Sequence, residues 1–436
     1  MARRDPIAIR DELEGAIPSH RIRQLARETG AVRRERKVDI VALVWTLVLG
    51  CSAGRSRTFT SLRQTYQRLT GQRIVPSAFW DRFSTQLARM LKMLAAECLE
   101  KLAPVDHRLR GNLESFRDLI ITDGSVIRLH PKLAKLYPGT RTNSAKAAGK
   151  IHMVWSVHGI GRRSVKISGE RASERRKLSI GPRIKDCLLL FDLGYFSFHL
   201  FDRIDKNEGY FLSRLKANAN PLIIGLNRRY RGRTVDMVGK RIQDVLPSLR
   251  RQSLDAQVQV DFKRRAYKGA RKKVCRTFRL VGLRDSETGQ YHLYLTNVPP
   301  EMMSPEQASA TYRARWYIEL LFKEMKSSYR LDQLPTRKKA AVEVFLYASI
   351  LTFVASRRLL MAVRAHLPEK EHRIGHMRWA SLFRTHAGEL LGIVLNPQEH
   401  ALFQQSQLNA CIAHEAVDPH LNRPGLLRTV EIGVAW

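Results

Sequence analysis

Two short apolar runs, each closed by an aspartate, constrain this chain more than any other feature. Leu119-Ile120-Ile121 leads through Thr122 to Asp123-Gly124, and Cys187-Leu188-Leu189-Leu190-Phe191 leads to Asp192-Leu193-Gly194. An apolar run without polar alternation is what a strand buried on both faces requires, and the glycine after it predicts a turn. Further strands are expected over residues 151–158 and 210–215, with helix-length segments between the runs. That pattern predicts a mixed α/β sheet with both faces covered. Each aspartate is then expected at the C-terminal end of a buried strand. Neighbouring strand ends lie about 5 Å apart, so two carboxylates there can bind a hard divalent cation through oxygen. Asp before a turn glycine is also ordinary turn chemistry, so the pair alone does not decide between the two readings.

Charge narrows the partner. Lys plus Arg is 76 against 40 Asp plus Glu, a net +36 over 436 residues. Such a charge repels itself in a compact state and suits a polyanion. Nucleic acid is the first expectation and an anionic membrane surface the second. A bilayer span needs about 18 or more consecutive apolar residues; the best run here, residues 40–51, is shorter, and Glu343 interrupts the stretch 340–355. The opening MARRDPIAIRDELEG has no apolar signal core, so secretion is not expected. The five cysteines (Cys51, Cys98, Cys187, Cys275, Cys411) are scattered with no CxxC pair. A reducing cytoplasm is expected, with no thiolate zinc site.

Along the chain, residues 1–105 read as helical. Two helix–turn–helix patterns occur there: residues 21–28 broken at Gly30 and resumed near Val38, and residues 61–69 broken at Gly71 and resumed after Pro76, with Ser77 as the expected N-cap. Basic residues crowd the first of them (Arg21, Arg23, Arg27, Arg33, Arg34, Arg36, Lys37). Packed helical hairpins with solvated charges fit the same text. Between residues 216 and 302, Val258, Val260 and Phe262, then Phe278 and Leu280, then Leu293 and Leu295 alternate with polar residues, as in an antiparallel meander. Its first turn is loaded with charge: seven of the eleven residues 263–273 are basic, with Tyr267 among them. Either a solvated loop or a phosphate-contacting hairpin tip fits this run. A helix is expected from Ser304 (N-cap), Pro305 and Gln307 (capping box) to about Tyr329, followed by an apolar, buried helix from about Lys338 to His366.

The helix from Pro305 carries Tyr312, Arg315, Glu319 and Lys326, at offsets of three, seven and fourteen. At about 100° per residue these fall within an arc of roughly 60°. Ile318, Leu321, Phe322 and Met325 form the adjacent apolar arc that faces the core. The polar seam thus borders the core. An Arg315–Glu319 pair on an open surface would contribute only tenths of a kcal/mol.

Tyr312-x2-Arg315-x3-Glu319-x6-Lys326 is similar to the YREK signature of the DDE transposases in the insertion-sequence type four group. The surrounding text also resembles that group: ITDGSVIRL, FDLGYFSFHLFDRI, YFLSRLKANANP, YLTNVP and TYRARWYIELLFKEMKS. The likeness covers about residues 118–334, interrupted by the variable β segment. It implies an α/β protein with a ribonuclease-H-like mixed sheet core, a β-rich insertion, a helical N-terminal domain and a helical C-terminal region. The expected boundaries are 1–105 for a helical DNA-binding domain, 106–215 and 303–366 for the two parts of the core, 216–302 for the insertion, and 367–436 for a C-terminal tail, with either this tail or the helix from Lys338 as the candidate dimerisation region. The implied catalytic and metal-binding triad is Asp123, Asp192 and Glu319, holding two Mg²⁺ ions (Mn²⁺ as an alternative). Tyr312, Arg315 and Lys326 are implied to contact DNA. Tyr291 stands where some relatives use a Trp of the insertion to stack a flipped base. Lys263, Arg264, Arg265, Lys268, Arg271, Lys272 and Lys273 are the expected phosphate contacts of the insertion. His152, His158, Cys187 and Trp316 are expected to be structural, and Arg128 and His130 are further DNA-contact candidates.

The expected function is a cytoplasmic, nucleoid-associated prokaryotic transposase, with double-stranded DNA (transposon ends and target) as partner, no membrane, and a homodimer in the synaptic complex. A ribonuclease-H-like DNA nuclease without strand joining and a non-catalytic DNA-binding relative are the alternatives.

Overall fold

The structure is a computed structural model that describes residues 7–32, 38–50, 57–102, 111–140, 146–159, 163–174, 178–228, 236–263, 273–334, 336–366, 374–396 and 402–417. The N-terminal part is helical: α1 (Ile9–Ala16), α2 (Ser19–Glu28), α3 (Ile40–Leu49), α4 (Phe59–Thr70), α5 (Pro76–Asp81) and α6 (Thr85–Lys101). Helix α3 is apolar on every side and buried along its whole length, and Asp39 caps it by accepting from the Val41 and Ala42 amides. Helix α5 begins at Pro76 with Val75 as its cap, so Ser77 is not the N-cap. The reason is that Pro76 takes the first helical position, where its fixed φ and missing N–H cost nothing, and Ser77 falls inside the first turn. Arg21 is held by Glu97 of α6 at 2.7 Å; Arg33, Arg34, Arg36 and Lys37 lie outside the described residues.

The sheet follows: β1 (Asp118–Leu129), β2 (Ala147–Ser156), β3 (Ser164–Gly169), β4 (Cys187–Phe191), then α7 (Phe198–Asp205), β5 (Tyr210–Arg214), β6 (Leu222–Leu226), α8 (Ile242–Val245), β7 (Ser253–Lys263), β8 (Lys273–Arg284) and β9 (Tyr291–Thr296). Among the described residues they form one nine-stranded sheet in the order β3-β2-β1-β4-β5-β9-β8-β7-β6. β1, β2 and β3 are antiparallel, β4 lies parallel to β1, and β5 lies parallel to β4 across the α7 crossover. This is the ribonuclease-H-like mixed core. The meander β6 to β9 is not a separate sheet, because β9 pairs antiparallel with β5 and makes it continuous with the core.

Both faces of the central strands are covered, as their composition requires. Leu119, Ile121, Leu188 and Leu190 point into a core shared with the helices, whereas Ile120, Leu189 and Phe191 point into a second core shared with α7 and the meander. One expectation fails here. Asp123-Gly124 is not a turn, since β1 runs on to Leu129. Its antiparallel partner β2 pairs with it from Ile120 to Leu129, so the chain stays extended after the parallel partner β4 has ended.

The C-terminal part is helical: α9 (Pro305–Tyr312), α10 (Trp316–Ser327), α11 (Lys339–His366), α12 (His376–Thr385), α13 (Ala387–Leu395) and α14 (Leu402–Ala416). The capping box at Ser304 and Gln307 is present. The helix expected to continue to Tyr329 is instead interrupted by a tight 3-10 turn at Arg313–Arg315. Such a turn advances about 120° per residue instead of about 100°, so it rotates α10 relative to α9. Helix α11 is the one described helix long and apolar enough to cross a membrane, but 89% of its most apolar window is buried inside the protein. It packs against α1, α3 and α6 of the N-terminal part.

Buried ion pairs pin the α9–α10 segment at both ends. Arg279 of β8 holds Asp255 of β7 at 2.8 and 2.6 Å and donates to the Met303 carbonyl (2.8 Å) just ahead of the Ser304 cap. At the other end Glu324, fully buried, is paired with Arg357 of α11 and accepts from the Tyr329 hydroxyl at 2.9 Å. Burial pushes the Glu324 carboxyl up even with Arg357 beside it. Arg357 also donates to His376 at 2.6 Å, whose ring is held well below its ordinary value by burial and by Arg357. Removing one partner of a buried pair strands the other charge. Arg357→Met should therefore lower unfolding free energy by about 3–5 kcal/mol, while the volume-filling double change Glu324→Met with Arg357→Met should recover most of it. Urea titrations check this; a single variant with an unshifted midpoint would show that the pair does not hold α10 down.

Candidate active site

The first two acids are set by strand register. The parallel ladder of β1 and β4 pairs Asp118 with Cys187 and ends by pairing Thr122 with Phe191. The next residue on each strand is Asp123 and Asp192, so the two aspartates come out side by side where the buried layers stop. Asp123 accepts from the Gly124 amide at 2.7 Å. Asp192 stands at the head of the 3-10 turn Leu193–Tyr195, where the chain turns towards α7.

The third acid arrives on α10, which packs on β1. Arg315 Nη1 lies 2.5 Å from Glu319 Oε1 and 3.8 Å from Asp123 Oδ2, so one guanidinium spans both acids. Burial pushes the Asp123 carboxyl up to about 6; the Asp192 and Glu319 charges push the same way, against the Gly124 amide and Arg315. Asp123 thus feels the charge of both other acids, and Arg315 is the counter-charge between Asp123 and Glu319. Arg315 Nε is buried without a hydrogen-bond partner, so one donor of its fork is unused in the free protein. The three acids supply the hard oxygen donors that a divalent cation takes, although their oxygens do not all lie within 4.8 Å of one another.

A cleft of about 650 Å³ opens over Asp123 and Glu319, lined also by Ser125, Lys323, Lys326 and Asp332 among others, while Asp192 is not part of its lining. Lys326 Nζ donates to the Val126 carbonyl at 2.9 Å, and burial pulls its ammonium below the ordinary value. Lys323 and Asp332 are not among the residues that the sequence singles out. For Lys323, one turn beyond Glu319, the helical spacing is the available signal.

Tyr312, the first residue of the polar seam, turns into the sheet in the free protein. It is 7% exposed, and its hydroxyl donates to the Phe191 carbonyl at 2.9 Å. Burial pushes its phenol up to about 12. It braces α9 against the last paired residue of β4, and the tight turn after it leaves Arg315, not Tyr312, facing the acids. Trp316, expected to pack, is 56% exposed at the start of α10, with the Arg315 guanidinium 5.8 Å from its ring. Tyr291 is half-buried at the start of β9, its hydroxyl donating to the Arg251 carbonyl, and it does not line the cleft. Lys263 and Lys273 sit at the paired ends of β7 and β8, Lys273 being 3.2 Å from Asp261. Arg264, Arg265, Lys268, Arg271 and Lys272 lie outside the described residues. His152 and His158 are buried, the former 2.6 Å from Ser168 Oγ, and Cys187 is a fully buried core residue. His130 caps a short turn by accepting from the Lys132 amide.

Comparison with known proteins bears on this geometry. The chain is 23% identical over 421 residues to the transposase for insertion sequence element IS231F of Bacillus thuringiensis subsp. israelensis, covering 89% of this chain and 87% of the relative. It is 19% identical over 382 residues to the transposase for insertion sequence element IS1151 of Clostridium perfringens, covering 81% and 80%. Among solved structures it is similar to the piggyBac transposase in a synaptic complex with hairpin DNA, determined by cryo-EM, with a TM-score of 0.47 and 10% identity over 97% of this chain and 87% of that one. The family model described as "Transposase DDE domain" matches residues 114–354, more than half of the chain and the whole span that carries Asp123, Asp192 and Glu319. The chain therefore belongs to the DDE-domain transposases, enzymes that bind DNA and work with divalent metal ions.

Proposed function

We propose that this protein binds the inverted terminal repeats of an insertion sequence, cuts the DNA at each end, and joins the 3′-ends to target DNA by phosphoryl transfer. The observation that carries this reading is the in-register exit of Asp123 and Asp192 from β1 and β4, with Glu319 linked to Asp123 through Arg315. Asp123, Asp192 and Glu319 are the residues that would hold two divalent ions, Mg²⁺ first and Mn²⁺ as the alternative. Such ions, when bound, polarise the phosphoryl oxygens and make water or a 3′-hydroxyl a better nucleophile.

The remaining groups have roles that follow from their placement. Arg315 neutralises the acids in the free protein and would turn its fork towards the scissile phosphate when the acids are otherwise engaged. Lys323 and Lys326, at the cleft wall, would take neighbouring phosphates. Trp316, exposed at the start of α10 beside Arg315, offers an open aromatic face for a base to stack on. The charge of +36 supplies the long-range attraction for DNA. Within this reading residues 1–105 recognise the ends, the basic tip 263–273 and Tyr291 add contacts from the insertion, and residues 367–436 contribute to a homodimer that brings two ends together. The working location is the nucleoid in the cytoplasm.

End-cleavage assays on a terminal repeat test the chemistry. Cleavage should require Mg²⁺, stop in EDTA, and be abolished by Asp192→Asn while end binding stays within a few-fold; a variant that cuts normally removes Asp192 from the site. If cut ends appear but are never joined to target DNA, the protein is a nuclease that does not transpose. Tyr312→Phe separates a brace from a DNA contact. The brace predicts a loss of about 1–3 kcal/mol in stability from the stranded Phe191 carbonyl, with end binding unchanged. Weaker binding at unchanged stability would restore the contact role. Neutralising the seven basic residues at 263–273 should flatten the salt dependence of binding by about 0.9 in log–log slope for each phosphate that the tip no longer neutralises. An unchanged slope would mean that the tip faces only solvent.

A further inference from the structure

Three residues of the C-terminal part, none with a place in the chemistry above, converge on one point. His386 stands between α12 and α13, and Cys411 and Glu415 stand one turn apart on α14. One donor atom of each (an imidazole nitrogen, the thiol sulfur and a carboxylate oxygen) lies within 4.8 Å of the other two. Cys411 Sγ and Glu415 Oε1 are already 3.6 Å apart. Tetrahedral bonds of about 2.0–2.3 Å put donor atoms about 3.5 Å apart, so small side-chain rotations bring all three onto one ion. Helix α14 packs on α12, and its main chain is tied there: Arg378 Nε of α12 donates to the Glu415 carbonyl at 2.7 Å. Asn409 of α14 donates to the Ile7 carbonyl at 2.7 Å. Beside His386, Glu389 Oε2 lies 3.3 Å from the ring Nδ1, the carboxylate–imidazole contact that orients a metal-binding histidine.

The chain carries a net charge of +36, yet among the described residues no lysine or arginine is ion-paired with Glu389 or Glu415. A cation shared by the cluster supplies the missing counter-charge. The donor types choose that cation. Thiolate and imidazole are ligands that Mg²⁺ avoids and that Zn²⁺ takes in tetrahedral geometry. We propose that His386, Cys411 and Glu415 bind a zinc ion that staples α14 to the α12–α13 junction, with Glu389 orienting the imidazole and the fourth position left to water. The site is separate from the acids on β1 and β4 and does not depend on their role. No CxxC spacing announces it, because its members meet only when α14 folds back on α12.

The test uses the full-length protein without DNA and Co²⁺ as the probe, since a thiolate on Co²⁺ gives a near-ultraviolet charge-transfer absorption that oxygen ligands do not. Co²⁺ should bind with that absorption, and Zn²⁺ should remove it by displacement. Cys411→Ser should abolish it. Glu389→Gln should weaken Co²⁺ by about tenfold, and His386→Asn and Glu415→Gln should weaken it more. Glu415 is exposed, so Glu415→Gln serves if Cys411→Ser does not fold. Cys275→Ser, at an exposed thiol elsewhere, and Asp192→Asn, at the catalytic acids, should leave the absorption unchanged. Zn²⁺ should also slow amide hydrogen exchange in α14 severalfold in the unsubstituted protein and not in Cys411→Ser. Absence of the thiolate absorption, or its survival in Cys411→Ser, would overturn the proposal and leave the cluster as hydrogen bonds alone. Zinc binding with unchanged exchange in α14 would overturn the staple.

Discussion

The pairing register of β1 with β4 is the constraint on which the rest of this protein depends. Side chains alternate across a strand, so a slip of one residue would send Asp123 or Asp192 to the opposite face and bury an aspartate among the apolar layers. The register is held by those layers. Leu119, Ile121, Leu188 and Leu190 must meet the helical core while Ile120, Leu189 and Phe191 meet the other, and no other alignment satisfies both. The Tyr312 hydroxyl, bonded to the carbonyl of Phe191, adds a lock at the last paired residue. The position of the acids is thus an outcome of hydrophobic packing one layer below them.

That packing works against an electrostatic cost. Asp123 is buried beside two other acids, and its carboxyl is pushed up to about 6 by that burial first and then by the Asp192 and Glu319 charges. Arg315 offsets part of the cost from within the site. The remainder is carried by structure remote from the chemistry: the apolar length of α11, the Arg279–Asp255 pair that fixes the chain before α9, and the Glu324–Arg357 pair that fixes α10. Glu319 sits between these two anchors. The 3-10 turn at Arg313–Arg315 lets a single segment serve two ends, with Tyr312 turned into the sheet and Arg315 turned over the cleft.

Much of this is legible in the sequence where the signal is local. CLLLF is short, apolar throughout and closed by a turn, which suits a doubly covered strand better than a helix, and the Ser304–Gln307 capping box fixes a helix start through its own short-range hydrogen bonds. Features that depend on distant partners are not legible. Asp123-Gly124 reads as a turn, yet the strand continues because β2, some thirty residues later, supplies its ladder. The meander reads as an insertion, but its union with the core through β5 and β9 has no trace in the alternation of Val258, Val260 and Phe262. The N-terminal helices read as hairpins, and amphipathicity does not say that their apolar faces close on α11.

The site divides along the same line. The spacing of Arg315 and Glu319 predicts their pairing, because four residues is one helical turn, and the pair bridging to Asp123 follows from α10 lying on β1. Tyr312 departs from expectation because a common arc for all four polar residues holds only in an unbroken helix. Gly124 and Gly194 show the limit of local reading. Each follows closely on an aspartate, where turn chemistry explains a glycine readily, yet neither has a positive φ, and a Cβ at either would meet the Glu174 carboxylate. Those glycines answer to a side chain brought in by the fold, which no neighbouring residue in the sequence announces.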